Sequence, residues 1–199
     1  MTLHRRTRVL RTNERGLRIW SAESNTLQTS PQALAVIVCD MWDRHWCRGA
    51  AERVAAMVPA VNHVLSVLRD ARVTVIHAPS DTLEFYADHP ARRRALKAAP
   101  VTPPAEAVHE TPPLPIDDSR GGCDSEDNTG AVDQRVWTRQ HPGITIDPAR
   151  DFVSADGREV YSLSRGRGIE HVVIMGVHTN MCILNRSFAI KQMVRWGVD

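Results

Sequence analysis

Three short apolar runs punctuate the chain: Leu34–Cys39 ending at Asp40, Val73–Ile76 ending at His77, and His171–Val177. Short, β-branched runs bounded by polar residues predict strands buried on both faces, as in a parallel sheet. Between the first two, Val54, Val58, Val61, Leu65 and Leu68 recur at helical spacing. They predict a helix over 49–70 with one core face, kinked or divided at Pro59, and place His63 on the surface. A strand–helix–strand order of this kind predicts a right-handed crossover between parallel neighbours. After the third run, Leu184 and Phe188 stand four apart, as do Ile190 and Val194. That spacing predicts one continuous helix, capped by Thr179 or Asn180 and stopped at Gly197.

Weaker patterns fill the interval. Residues 91–99 and 160–167 read as helices, 144–146 as a short strand, and 151–157 as a loop. The Arg92-Arg93-Arg94 run reads as a solvated helix face. Residues 100–142 form a long proline-, glycine- and acid-rich stretch, expected to be a functional loop or insertion. Ser30-Pro31 marks a boundary. Residues 1–31 read as an N-terminal extension in which Val9, Leu10, Leu17, Ile19 and Trp20 are candidate strand positions. Residues 32–199 are then one α/β domain: a three-layer, Rossmann-like sandwich around a mostly parallel sheet.

Composition sharpens this in three ways. The 199 residues suffice for one substantial core. A net charge of +2 gives no bulk electrostatic case for nucleic acid, and no apolar run is long enough to span a bilayer. Cys39, Cys47, Cys123 and Cys182 show no paired metal-ligand spacing and follow no secretory segment. Reduced thiols in a cytoplasm are therefore the expectation, with Cys123 an exposed one. Among 25 basic residues, only Lys97 and Lys191 are lysines.

Candidate chemistry gathers at strand ends, where open α/β sheets bind ligands. Asp40 ends the first buried strand and Cys182 follows the third. Unpaired N–H groups and the dipole at a helix start would lower a thiol's pKa there and could hold an oxyanion. A buried structural cysteine and a capping or turn aspartate are the plain alternatives. Trp42, His45 and Trp46 could wall a pocket, with Asp81, Phe85 and Tyr86 on its other side. His77, Asp81 and His89 could in principle assemble a metal site, but capping and surface roles are the expectation.

Gly176-Val177-His178-Thr179-Asn180-Met181-Cys182 resembles the G-V-x-T-x-x-C signature of the isochorismatase-like cysteine hydrolases, which include nicotinamidases. The resemblance spans roughly residues 33–197. It implies a Cys182 nucleophile, Asp40 as its acid partner, a cis Val177–His178 peptide, and an oxyanion hole from the N–H groups of His178 and Cys182. Where the family has D-x-Q-x-x-F, this chain keeps Asp40 but puts Trp42 and His45 at the other positions. The D-x-H metal arrangement of nicotinamidases is missing, so no metal and no cofactor are expected.

No lysine lies between Lys97 and Lys191 to match the family's catalytic lysine. Arg139, His141 and Arg150 are the cationic candidates, with Arg139 or His141 expected beside Asp40. The family usually continues with another strand and helix, so a C-terminally truncated domain or a sheet edge completed by a partner, such as a second copy, is expected. Two functions follow: a hydrolase of a C–N bond in a small amide through an acyl-enzyme, with Trp42, His45, Asp81, Tyr86 and His141 contacting substrate, or a non-catalytic binding or assembly protein with a decayed triad.

Overall fold

The computed structural model describes residues 1–108, 123, 125 and 135–199. The chain divides into two compact units, Met1–Pro31 and Gln32–Asp199. In the first, β1 (Thr2–Thr12) and β2 (Arg18–Gln28) pair as an antiparallel hairpin. Its turn is set by Asn13, whose Oδ1 accepts the N–H groups of Arg15 and Leu17, and by Gly16 at φ +75°.

In the second unit four parallel strands run in the order β5-β4-β3-β6. They are β3 (Leu34–Cys39), β4 (Thr74–Ala78), β5 (Phe152–Val153) and β6 (His171–Gly176). Side-chain parity along β3 builds the two cores. Val36 and Val38, with Val75 of β4, pack under α1 (Arg48–Asp70) against Val54, Val58, Val61 and Leu65. Ala35, Ile37 and Cys39, with Ile76 and Ala78, face Val160 and Leu163 of α3 (Gly157–Gly166) and Met193 of α5 (Ile190–Arg195). Every residue of β3 is buried, since it has a strand on each side and helices on each face. This is the expected three-layer α/β sandwich.

Several local expectations are corrected. α1 is not divided at Pro59 but continues through it as one helix. Pro59 and Ala55 are exposed, so the carbonyl that loses its donor faces solvent, not core. Residues 144–146 are not a strand. The Asn62 amide donates to the Gly143 carbonyl and accepts from the Thr145 N–H, and Ile144 packs under α1. The strand of this region is instead Phe152–Val153, two residues within the stretch read as loop.

The helix expected after residue 181 is two: α4 (Cys182–Asn185) and α5, with Arg186 extended at ψ 156° between them. Tertiary contacts override the spacing here. Ser187 Oγ accepts the Gly157 N–H, a β-carbon on Gly157 would lie 1.9 Å from the Ser187 carbonyl oxygen, and Phe188 is fully buried. The N-cap position of α4 is Met181, and no side chain caps the helix, neither Thr179 nor Asn180.

Within α2 (Pro90–Leu96), Arg92 pairs with Glu159 and Arg94 reaches the carbonyls of Asp151 and Pro148. Only Arg93 is on a solvated face. Cys47 and Cys123 form a disulfide, with Cα atoms 5.7 Å apart, so Cys123 is not a free thiol and the expectation of four reduced cysteines fails. Cys39 and Cys182 remain free. Among the described residues no helix is long and apolar enough to cross a membrane.

Candidate active site

The site is assembled at the carboxyl ends of two neighbouring strands. β3 and β6 pair in register from Leu34↔His171 to Cys39↔Gly176, so Asp40 and the 177–182 turn leave the sheet side by side. Gly176 makes that closeness feasible. It sits at φ +148°, and a β-carbon there would come within 2.0 Å of the Cys39 carbonyl oxygen. That same carbonyl accepts the Val177 N–H at 3.1 Å. The Val177–His178 peptide that follows is cis.

Asp40 is fully buried, and its backbone adopts φ +48°, a left-handed conformation that aspartate tolerates better than most residues. Its Oδ1 accepts the Ser80 N–H at 2.8 Å and its Oδ2 accepts Arg186 Nε at 2.8 Å. Two such bonds, one charge-assisted, offset the desolvation of a carboxylate at this depth. The Cys182 thiol lies beside the Asp40 carboxylate and the His178 backbone, the two neighbours that with Arg186 set its electrostatics. Arg186 bridges onward to Asp81 at 3.5 Å and lies over the Trp42 ring at 5.7 Å.

Burial pushes the Cys182 thiol up to about 11, and the neighbouring Asp40 charge adds to this against the opposing pull of Arg186. The net shift is thus upward, opposite to the lowering expected at a helix start, because burial and the Asp40 charge dominate. Burial, with the charges of Asp40 and Cys182, also raises the Cys39 thiol. Burial works against the Arg186 cation, yet Asp40 and Cys182 hold its pKa above the usual arginine value. With Cys47 and Cys123 joined and Cys39 fully buried, Cys182 is the accessible thiol. Its alkylation by iodoacetamide is expected to be slow near neutrality and to climb steeply toward pH about 11. A rate that has levelled off by pH ~8, below the ordinary thiol value of about 8.5, would contradict this.

One wall of the site is aromatic. Trp42 stacks on Trp137 with centroids 4.2 Å apart, and His45 stacks on Trp137 at 5.6 Å and meets His178 edge-on at 5.5 Å. Burial, with the nearby His178, lowers His45 to about 4, so it is neutral at physiological pH. On that side a void of about 10 Å³ lies between Asp40, Trp42, His45, Val177 and His178, room for one water. Beyond Arg186 lies a cleft of about 550 Å³ lined by Asp81, Glu84, Arg135, Asn185 and Arg186.

The structure thus brings together Asp40, Cys182, Val177, His178, Trp42, His45 and Asp81. It does not bring Arg139, His141 or Tyr86 to Asp40. The Arg139 guanidinium covers Phe85 at 5.3 Å, and His141 Nδ1 accepts the Gly143 N–H. The buried Tyr86 hydroxyl accepts the Gln140 N–H at 2.9 Å. Arg150 pairs with Asp147. The cation beside Asp40 is Arg186, four residues after Cys182, a spacing that signals proximity. His77, Asp81 and His89 are separated in role: His77 bonds Gln140 and Asp151, Asp81 meets Arg186, and His89 caps α2. Among the described residues no group of three or more His, Cys, Asp or Glu is placed to hold a metal ion.

The isochorismatase domain family matches residues 34–192, four-fifths of the chain and every element of this site. The chain belongs to the isochorismatase family. A solved cysteine hydrolase from Pseudomonas syringae pv. phaseolicola 1448A is similar at 17% identity and TM-score 0.47, covering 86% of this chain and 70% of that one. No curated protein matches it. In this isochorismatase-family domain the matched segment carries both free cysteines and the Asp40–Arg186 pair.

Proposed function

We propose that this isochorismatase-family protein hydrolyses a C–N bond in a small polar amide through an acyl-enzyme on Cys182. The observation that carries this is the buried Asp40 carboxylate, shared between the Cys182 thiol and the Arg186 guanidinium. Asp40 takes the thiol proton as Sγ bonds the carbonyl carbon, and passes it to the amine as the C–N bond breaks. Water then attacks the thioester and gives a proton to Asp40, and as the C–S bond breaks and the acid leaves, Asp40 returns that proton to the Cys182 sulfur. The N–H groups of His178 and Cys182 receive the oxyanion.

A thiol held protonated at rest suits this sequence, because the base removes the proton only as the nucleophile attacks. Arg186 stays charged and does not itself shuttle protons. Its fork, on Asp40 and Asp81, fixes the base in place of the family lysine. The polar cleft bounded by Asp81, Glu84, Arg135 and Arg186 admits the substrate, and the Trp42–Trp137 stack closes the opposite side.

The test is intact-mass spectrometry after rapid acid quench across a panel of small primary amides. An acyl adduct that maps to Cys182 and disappears on dilution is expected. The absence of any adduct and any turnover across the panel would favour the non-catalytic alternative, a binding protein that keeps the fold.

A further inference from the structure

The net charge of +2 conceals a segregation. Residues 1–31 hold six arginines and two glutamates, a net of +4, so residues 32–199 carry −2. The hairpin sorts that charge again between its faces. Residues directly opposed across an antiparallel pair point the same way. One face therefore carries Leu3, Leu27, Val9 and Ile19 with Arg5, Arg11, Glu23 and Asn25. There Arg11 pairs with Glu23, and Arg5 donates to Asn25.

The other face carries His4, Arg6, Arg8, Arg18 and Trp20, with threonine, serine and glutamine at most remaining positions. It has no acid, and every position on it is exposed except the half-buried Leu10. Among the described residues Arg6, Arg8 and Arg18 make no ion pair or side-chain hydrogen bond. Arg6 and Arg8, two apart, stand about 6.7 Å from each other along a strand about 36 Å long.

We propose that this face of the β1–β2 ribbon docks duplex nucleic acid. A two-stranded ribbon fits the major groove, unpaired guanidinium groups neutralise phosphates, and the hydroxyl and amide side chains supply groove and sugar contacts. A bilayer is the poorer occupant, because Trp20 and Leu10 are the only large apolar side chains on the face. The inference does not depend on the hydrolase reading.

The test is fluorescence anisotropy of the full chain with a labelled mixed-sequence DNA duplex of roughly two helical turns, between about 50 and 200 mM salt. Affinity is expected to fall steeply with salt. The Arg6→Gln/Arg8→Gln/Arg18→Gln variant should weaken low-salt binding by at least about tenfold and lower the salt slope by about 2 to 3. The matching Arg→Lys triple should keep the slope. The control triple Arg53→Gln/Arg158→Gln/Arg165→Gln, with the same change in net charge, should bind like the parent. If circular dichroism shows that the ribbon triple has lost its fold, Arg8→Gln alone, with a slope loss of about 1, carries the test. No binding at about 50 mM salt, unchanged binding by the ribbon variants, or an equal loss in the control triple overturns the proposal. So does capture by phosphatidylserine vesicles that the duplex fails to compete.

Discussion

Cys182→Ala is expected to reduce amide turnover to the uncatalysed background while shifting thermal unfolding little, since it removes one sulfur from the end of a turn. Asp40→Asn should cost a similar factor, on the order of 10³ or more in kcat, because without a base the thiol stays protonated. The double variant should be little worse than either single one, as residues that act as one unit are not additive. Arg186→Ala should lower kcat by about 10²-fold, and Arg186→Lys should recover part of that by restoring a charge without the planar fork. Steady-state kinetics on an amide that acylates the protein would decide between outcomes. Full turnover by Cys182→Ala would remove the nucleophile assignment and leave the fold alone.

The largest stability effect is expected away from this site. Asp151 is 1% exposed and accepts from Arg69, itself only 7% exposed, and from the fully buried His77 at 3.0 Å. Burial alone would raise the Asp151 carboxyl, but the bonds from His77, Arg69 and the Asp147 N–H outweigh it and hold it near about 2. Asp151→Ala strands a buried arginine and should cost about 3–5 kcal/mol, whereas Arg69→Met combined with Asp151→Leu should recover much of it. Because the folded value lies below the unfolded one, the contribution is full above about pH 4. It falls away as pH drops toward about 2, a loss on the order of 2 kcal/mol. Urea midpoints for parent and Asp151→Ala should therefore converge on acidification. A gap that stays constant from neutrality to acid would show that packing, not charge, sets the cost.

Most of the domain's architecture was legible because β3, β4 and β6 are buried on both faces, or lie beside a strand that is, and so read as apolar runs. Phe152–Val153 escaped because two residues have no period to detect. The helix after Cys182 was misread for the opposite reason. Its spacing was sound, but Gly157 and Phe188 impose contacts from distant parts of the chain that local spacing does not contain. The pairing of Cys47 with Cys123, 76 residues apart, is equally a tertiary fact.

At the site, the strand-end positions of Asp40 and Cys182 were readable and their partner was not. Searching for a cation upstream of Cys182 pointed to Arg139 and His141, while Arg186 lies downstream, at the end of α4, where its N–H donates to the Cys182 carbonyl and its guanidinium reaches Asp40. The direction of the Cys182 thiol shift also depended on burial and on a neighbouring carboxylate, neither of which a lone sequence position displays.

The contact between Gly176 and the Cys39 carbonyl bears on how such a protein can diverge. Any side chain at 176 must push apart the two strand ends that carry Asp40 and the turn to Cys182, so changes there are filtered out whatever the substrate. Leu83, Glu84, Arg135 and Ala155 border the cleft but lie outside that pinch. Lineages are thus free to retune the cleft rim for new substrates while inheriting the strand-end geometry intact, and novelty should accumulate in the loops long before it touches the glycine.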